Sequence, residues 1–206
     1  GTYGVVAKEI AESMGCFETI EFVDDEMKET PNGIKVIGTT LDIENLAVDF
    51  SNIFVSIENP EKRLMMISKI SEETPCRLVT LVSPLAYIAS SAQVMQGSLV
   101  EPMAVVQTGS VITIGCIISS GAVAGHASMC CDGVHVDANA TVADHSLVPS
   151  GTKILCGEVF KRDTVESTDL FFDIKRWEKA LTEIRNKKPH APLPIDGLEY
   201  CFEDGM

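Results

Sequence analysis

The sequence predicts an α/β domain over residues 1–83, a left-handed parallel β-helix over residues 84–160, and a C-terminal helix and tail over residues 161–206. Three observations support this fold class. A six-residue repeat runs unbroken from Tyr87 to Glu158. Strand-like and helix-like patterns alternate before the repeat. One apolar stripe at helical spacing follows it.

The repeat has three regular positions. Its second residue is always apolar and usually β-branched, which suits an inward side chain that fills a narrow interior. Its fifth residue is Gly in seven of the twelve hexads, as expected where a turn requires a positive φ. Its sixth residue is Ala, Ser, Cys or Thr in ten of the twelve. A period held this long indicates a stacked β-solenoid.

The period also predicts which residues are neighbours in space. Three hexads form one three-sided coil, so the repeat from Tyr87 to Glu158 makes about four coils. Residues eighteen apart in the sequence then lie above one another, about 4.8 Å apart. This spacing is the basis of the active-site prediction below.

The segment before the repeat predicts an α/β domain. We expect a helix from Val5 to Met14 and a second from Pro60 to about Glu73. Strands are expected at residues 19–23, 34–37, 53–57 and 77–82. This alternation favours a parallel sheet covered on both faces. The turn Gly1-Thr-Tyr-Gly4 is of the kind that follows a first strand, which the sequence does not contain.

The segment after the repeat predicts one more helix. It begins near Thr168 and reaches about Lys187, with an apolar stripe that we expect to pack on the solenoid or on a neighbouring subunit.

Composition narrows the function classes. A formal charge of −14 argues against a nucleic-acid partner, since phosphate binding needs clustered Lys and Arg. The apolar runs are too short to span a bilayer, and no signal peptide is expected. The seven cysteines show no CxxC spacing, so we expect buried thiols in the reducing cytoplasm and no metal site.

The order of these segments resembles a known family. A Gly-turn at the start, a strand that ends in Asp24-Asp25, and Ile57-Glu-Asn-Pro60 before a helix all precede the hexads. This order is similar to that of the bacterial sugar O- and N-acyltransferases grouped with the sialic acid O-acetyltransferases, including enzymes that act on UDP-linked 4-amino-sugars. The likeness covers roughly residues 1–160. It implies a Rossmann-like N-terminal domain, a homotrimer, a sugar or nucleotide-sugar substrate and acetyl-CoA as co-substrate.

The resemblance also implies site residues. Substrate-binding positions of the family fall on the N-terminal domain, at Tyr3, Gly4, Asp24, Asp25 and Asn59. The alternative for these residues is purely structural, with Gly4 needed for turn geometry and the acidic pair ending a strand.

The histidine that acts as general base in the family aligns with His126. A second family histidine, close to the acyl group or the substrate, aligns with His135. The coil spacing predicts that His135 stacks beneath Lys153, whose charge then faces a phosphate of CoA.

The same spacing gives His126 its predicted partner. His126 is the fourth residue of its hexad, and Thr108 and Asp144 occupy that position one coil earlier and one coil later. We therefore expect Asp144 beside His126, with its carboxylate fixing the imidazole tautomer in a base–orienter pair. A base is needed because the attacking amine or hydroxyl loses a proton during acetyl transfer. The alternative is that the histidines are surface residues of a solenoid.

Two other functions remain open from the sequence. One is a catalytically lapsed trimer that binds a nucleotide-sugar or serves as a scaffold, favoured by Glu58, where relatives carry Gly, and by the end of the hexads at Glu158. The other is a β-helical carbonic anhydrase with three metal-binding histidines, which the histidine spacings disfavour. The acceptor sugar, and the choice between O- and N-acylation, are not predicted.

Overall fold

The computed structural model describes residues 3–30 and 32–161. Its N-terminal part contains three helices and two small sheets. The helices are α1 (Tyr3–Met14), α2 (Ile43–Leu46) and α3 (Pro60–Glu73). The strands are β1 (Phe22–Val23), β2 (Val36–Gly38), β3 (Asn52–Ile53) and β4 (Arg77–Leu78).

The N-terminal strands form two separate parallel pairs, β1 with β2 and β3 with β4. The strands pair in parallel as predicted, but they form two separate two-stranded sheets and not the single sheet expected. They are also shorter than the sequence patterns indicated, and α2 was not predicted. The helix α3 has the predicted bounds. Asn59 caps it, because its side-chain oxygen accepts the Lys62 backbone N–H at 2.9 Å, and Pro60 follows in the first turn.

The solenoid is a stack of two-residue strands separated by tight turns. In chain order these are β5 (Leu81–Val82), β6 (Tyr87–Ile88), β7 (Gln93–Val94), β8 (Leu99–Val100), β9 (Val105–Val106), β10 (Val111–Ile112), β11 (Ile117–Ile118), β12 (Val123–Ala124), β13 (Met129–Cys130), β14 (His135–Val136), β15 (Thr141–Val142), β16 (Leu147–Val148), β17 (Lys153–Ile154) and β18 (Val159–Phe160). Each strand pairs in parallel with the strand eighteen residues away, which confirms the left-handed β-helix and its register.

The strands form three sheets, one for each side of the prism. We call β5, β8, β11, β14 and β17 the helix-covered face, because α1 packs on it through Ala7, Ile10 and Ala11. The sheet of β6, β9, β12, β15 and β18 is the Tyr87 face, and the sheet of β7, β10, β13 and β16 is the Met129 face.

The inward positions behave as the repeat predicts. Residues such as Val100, Ile112 and Val142 are fully buried in one continuous core. All seven glycines at the fifth position have φ between 65° and 73°. The thiol of Cys116 lies in this core, and burial raises its pKa to about 12, so it acts as a small apolar group.

The solenoid extends beyond the predicted repeat at both ends. The strand Leu81–Val82 pairs with Leu99–Val100, so the segment predicted as one strand over 77–82 is two strands, and the solenoid starts before residue 84. At the other end, Val159–Phe160 pairs with Thr141–Val142, so the sheets do not stop at Glu158. The predicted C-terminal helix lies outside the described residues.

A buried arginine joins the two parts. Arg63 of α3 is fully buried and donates hydrogen bonds to four carbonyl oxygens, at 2.6–2.9 Å. Two of these carbonyls belong to Gly115 and Gly133, in successive coils, and two belong to Ile57 and Glu58, before α3. The guanidinium therefore fixes the position of α3 along the solenoid.

Among the described helices, none has the length and apolar character needed to cross a membrane.

Candidate active site on the solenoid

His126 lies in the turn between β12 and β13, at the corner where the Tyr87 face meets the Met129 face. Its side chain is exposed. The preceding residue must be Gly125, because a Cβ there would lie 2.6 Å from Oδ1 of Asp144 and 2.6 Å from the carbonyl oxygen of Val142. The turn thus brings the next coil close behind His126.

Two hydrogen bonds fix His126. Its Nδ1 lies 2.8 Å from the carbonyl oxygen of Thr108, one coil earlier. A carbonyl oxygen only accepts, so Nδ1 carries a proton, and in the neutral imidazole Nε2 is then the nitrogen with the lone pair. The backbone N–H of His126 donates to Oδ1 of Asp144 at 2.9 Å. An exposed imidazole with an unprotonated Nε2 has the form that a general base requires.

This geometry corrects one prediction. The coil spacing placed Asp144 beside His126 correctly, but its carboxylate does not fix the imidazole tautomer. It binds the backbone amide instead, and the Thr108 carbonyl holds the ring. Thr108 was recognised in the sequence only as the residue one coil earlier, since the group that acts is a backbone carbonyl and leaves no signature in the side chain.

A further histidine completes this corner. The ring centroids of His126 and His145 are 5.1 Å apart, with the two planes at 84°. The backbone N–H of His145 donates to the carbonyl oxygen of His126 at 2.9 Å. Sequence reasoning left His145 as a surface residue, although the register places it one coil beyond Ala127, the residue after His126.

The residues predicted to bind CoA lie elsewhere. His135 and Lys153 are register neighbours on the helix-covered face, as predicted. His135 is only 2% exposed, beneath the N-terminal domain, and its Nε2 lies 3.1 Å from Oγ of Ser119. Burial, and then the charge of Lys153, lower the pKa of His135 to about 4. Lys153 is exposed and contacts Asp137 at 3.5 Å.

Tyr3 is held by the solenoid. Its hydroxyl donates to Oε1 of Glu101, a buried carboxylate whose other oxygen accepts the backbone N–H and the hydroxyl of Ser120, both at 2.9 Å. Burial, and then the hydrogen bond and charge of Glu101, raise the pKa of the Tyr3 hydroxyl well above its usual range. Tyr3 therefore serves as a neutral donor that anchors the start of α1.

The other predicted substrate residues have internal contacts. A Cβ at Gly4 would lie 2.9 Å from the ring of Phe22, so Gly4 allows α1 to pack closely. Both carboxylate oxygens of Asp25 accept from Thr40, at 2.7 and 2.9 Å, and Oδ1 of Asp24 accepts two backbone N–H groups in its own turn. Asn59 caps α3.

A cavity of about 790 Å³ lies in the N-terminal domain, between α1 and the two small sheets. Of the five predicted substrate residues, Gly4 alone lines it. The structure therefore does not gather these five residues around one opening.

The three-sided shape separates the predicted groups. His126 is at the corner opposite the helix-covered face, which carries His135, Lys153 and the N-terminal domain. Within one chain these residues and His126 therefore lie on different sides of the prism. Within the described residues, no three His, Cys, Asp or Glu side chains are grouped to hold a metal ion.

The fold and the exposed histidine define a class, the hexapeptide-repeat β-helix proteins with an N-terminal α/β domain. The comparison with known proteins shows what the chain is similar to. Residues 1–70 match the family model described as the PglD N-terminal domain. No protein with a curated description matches the sequence significantly.

Four solved structures, of three proteins, have the same fold over most of the chain. The acetyltransferase domain of PglB from Neisseria gonorrhoeae is 27% identical, with a TM-score of 0.55, and the match covers 77% of this chain and 91% of that one. The structure of the same domain with acetyl coenzyme A bound matches at 25% sequence identity and a TM-score of 0.54, with the same coverage of both chains. PerB from Caulobacter crescentus, solved with CoA and GDP-perosamine, is 19% identical with a TM-score of 0.50. The match covers 78% of this chain and 88% of that one.

A third relative, WeeI from Acinetobacter baumannii, is 19% identical with a TM-score of 0.58, over 77% and 84% of the two chains. The family resemblance predicted from the sequence is thereby confirmed. A segment that matches the PglD N-terminal domain precedes a hexapeptide-repeat left-handed β-helix in this chain, and the acetyltransferase domain of PglB has the same fold over 77% of the chain.

Proposed function

We propose that this protein transfers the acetyl group of acetyl-CoA to the amine or hydroxyl of an amino sugar, free or nucleotide-linked, with His126 as general base. The observation that carries the proposal is the exposed His126 imidazole, whose Nδ1–H donates a hydrogen bond to the Thr108 carbonyl oxygen and whose Nε2 is then the accepting nitrogen of the neutral ring. The match at 27% identity to an acetyltransferase domain, which is also solved with acetyl coenzyme A, supports the choice of donor.

The residues of this chain have the following roles. Nε2 of His126 takes the proton that the acceptor loses as it attacks the thioester carbonyl. The Thr108 carbonyl keeps Nδ1 protonated, so Nε2 stays the accepting atom. The Asp144 carboxylate accepts from the His126 amide and so fixes the backbone from which the ring projects. Acetyl-CoA, when bound, supplies the activated acyl group.

The active site is shared between chains in this proposal. The outward residues of the Tyr87 face include Tyr87 at 61% and Val159 at 67% exposure, which makes an apolar surface beside the His126 corner. A neighbouring chain that covers this face brings its own N-terminal domain and Lys153 towards His126. We therefore propose a homotrimer, which works in the cytoplasm, where buried thiols such as Cys116 stay reduced.

A second function is a trimer that has lost catalysis and keeps nucleotide-sugar binding or a scaffold role. One observation favours it: the polar groups of Tyr3, Asp25 and Asn59 are engaged within the chain, with Glu101, Thr40 and the α3 backbone. Substrate binding by these side chains requires their present contacts to change.

Titration calorimetry with acetyl-CoA separates the two functions. The transferase is expected to bind acetyl-CoA and to release free thiol when amino sugars or UDP- and GDP-linked amino sugars are added. The absence of heat at millimolar acetyl-CoA would eliminate the transferase. Binding of a nucleotide-sugar without binding of acetyl-CoA would establish the second function.

A further inference from the structure

His145 occupies a backbone conformation that is unusual for its size. It is the fifth residue of its hexad and has φ 56°. The same position one and two coils earlier is held by Ala127 and Gly109, at φ 51° and 70°. Met103 and Asn139 have the same hexad position and a positive φ, so the role of His145 follows from what its ring contacts.

The side chain of His145 contacts the proposed base. Its ring meets the His126 ring at 84°, with the centroids 5.1 Å apart, which is the edge-to-face arrangement of aromatic pairs. The adjacent Asp144 binds the His126 amide, and the backbone N–H of His145 binds the His126 carbonyl. Two consecutive residues of one coil therefore hold the backbone of His126 on both sides, while His145 also contacts its ring.

One hydrogen bond does not immobilise an exposed ring. The Thr108 carbonyl sets which nitrogen of His126 is protonated, but it leaves the ring free to pivot about that bond. Exposed side chains change rotamer in picoseconds to nanoseconds. A second contact against the ring restricts this motion and keeps Nε2 in one direction. General-base catalysis depends on that direction, because proton transfer needs the nitrogen within hydrogen-bond reach of the acceptor.

We propose that His145 is a positioning residue, whose ring holds the imidazole of His126 so that Nε2 points towards the acceptor. This inference rests on the proposed function and adds a residue that acts through His126. In this role His145 acts by packing, so its ring is required and its two nitrogens are not.

Two substitutions of His145 separate packing from proton chemistry. His145→Asn removes the ring and keeps the turn, since Asn139 occupies the same hexad position at φ 56°. His145→Phe keeps an aromatic ring and removes both nitrogens. We expect His145→Asn to lower kcat about tenfold, with an unchanged KM for acetyl-CoA and no loss of thermal stability. We expect His145→Phe to stay within about twofold of the wild-type kcat.

A wild-type kcat in His145→Asn would overturn the proposal. A kcat as low in His145→Phe as in His145→Asn would also overturn it, because the nitrogens would then be the active groups.

An NMR measurement tests the same contact without activity. With ¹⁵N-labelled imidazoles, and the His126 signals assigned by their loss in His126→Ala, we expect ¹⁵N relaxation to give a high order parameter for the His126 ring in the wild type and a lower one in His145→Asn. Equal order parameters in the two proteins would contradict the positioning role. If the wild type transfers no acetyl group, the proposed function fails, and this spectrum still decides whether His145 holds the ring.

Discussion

His126 and His135 are two histidines of the same solenoid in opposite environments. The first is exposed, with its Nδ1 bonded to a carbonyl oxygen. The second is buried under the N-terminal domain, and its Nδ1 has no hydrogen-bond partner among the described residues. Their places in the repeat decide this difference. His126 is the fourth residue of its hexad and lies at a corner, whereas His135 is the first residue of its hexad and lies on the sheet that α1 covers. The first is suited to proton transfer and the second to holding two parts of the molecule together.

The burial of His135 predicts a pH-dependent stability. Its pKa is about 4 in the folded protein and near 6.5 when unfolded, so between these values the unfolded chain binds the extra proton. The contribution of His135 to stability is therefore full above about pH 6.5 and is lost as the pH falls towards 4. At about pH 5 the loss amounts to about 2 kcal/mol, since each pH unit contributes about 1.36 kcal/mol.

Urea denaturation at about pH 7.5 and pH 5 measures this loss. The matched control is His135→Gln, which retains a polar side chain and does not titrate, so its stability should change less between the two pH values. An equal change in wild type and variant would show that other groups cause the pH dependence.

At the scale of elements, the fit between α3 and the solenoid depends on glycine turns. Gly133 and Gly151 both have φ 70°, one coil apart. A Cβ on Gly133 would lie 2.7 Å from side-chain atoms of Leu64 in α3, whereas one on Gly151 would meet no atom within 4 Å. The two positions thus have the same backbone and different neighbours.

Substitution by alanine should therefore give different losses of unfolding free energy at these positions. Gly151→Ala carries only the backbone strain of a positive φ, about 1–2 kcal/mol. Gly133→Ala adds displacement of Leu64, for a further 1–3 kcal/mol or so, which is typical of overpacking. Chemical denaturation of both variants measures the difference. Equal losses would mean that α3 does not press on this turn as the structure shows.

The elements also show how far the sequence determines the fold. The hexads were predicted in register, since each turn and inward residue repeats the same local requirement. The first hexad, Leu81 to Ala86, was missed because Arg77 to Val82 forms one apolar run, with nothing to show where its pairing partner changes. The N-terminal strands were overestimated because strand length depends on partners that sequence patterns do not identify.

The candidate site was predictable to the level of neighbouring residues. An eighteen-residue spacing was sufficient to place Asp144 and Thr108 on either side of His126. It did not determine which atoms meet, because the Thr108 carbonyl and the His126 amide are backbone groups common to all residues. The burial of Arg63 was not predictable from the sequence either, since the charged helix start Glu61-Lys-Arg63 does not indicate that one guanidinium will be buried against solenoid carbonyls.

In the assembled protein, the proposed shared site requires chains to associate through the Tyr87 face. Val105 lies on this face between Tyr87 and Val123. Val105→Glu should dissociate the trimer, because a buried unpaired carboxylate is costly, and acetyl transfer should fall with it. Val48→Glu is the control, since Val48 is 86% exposed on the N-terminal domain.

Light scattering after size-exclusion chromatography measures this association. The wild type and the Val48 variant should have three times the 22.3 kDa mass of one chain, and the Val105 variant the mass of one. A wild-type protein that is monomeric at assay concentration and still active would contradict the shared site.

The turnover of His126→Ala measures whether the exposed imidazole of His126 performs the proton transfer. With acetyl-CoA and an accepted amino sugar, we expect kcat to fall about a hundredfold or more, the usual contribution of a general base, while calorimetry shows unchanged acetyl-CoA affinity. A variant that transfers acetyl groups at the wild-type rate would remove His126 from the mechanism.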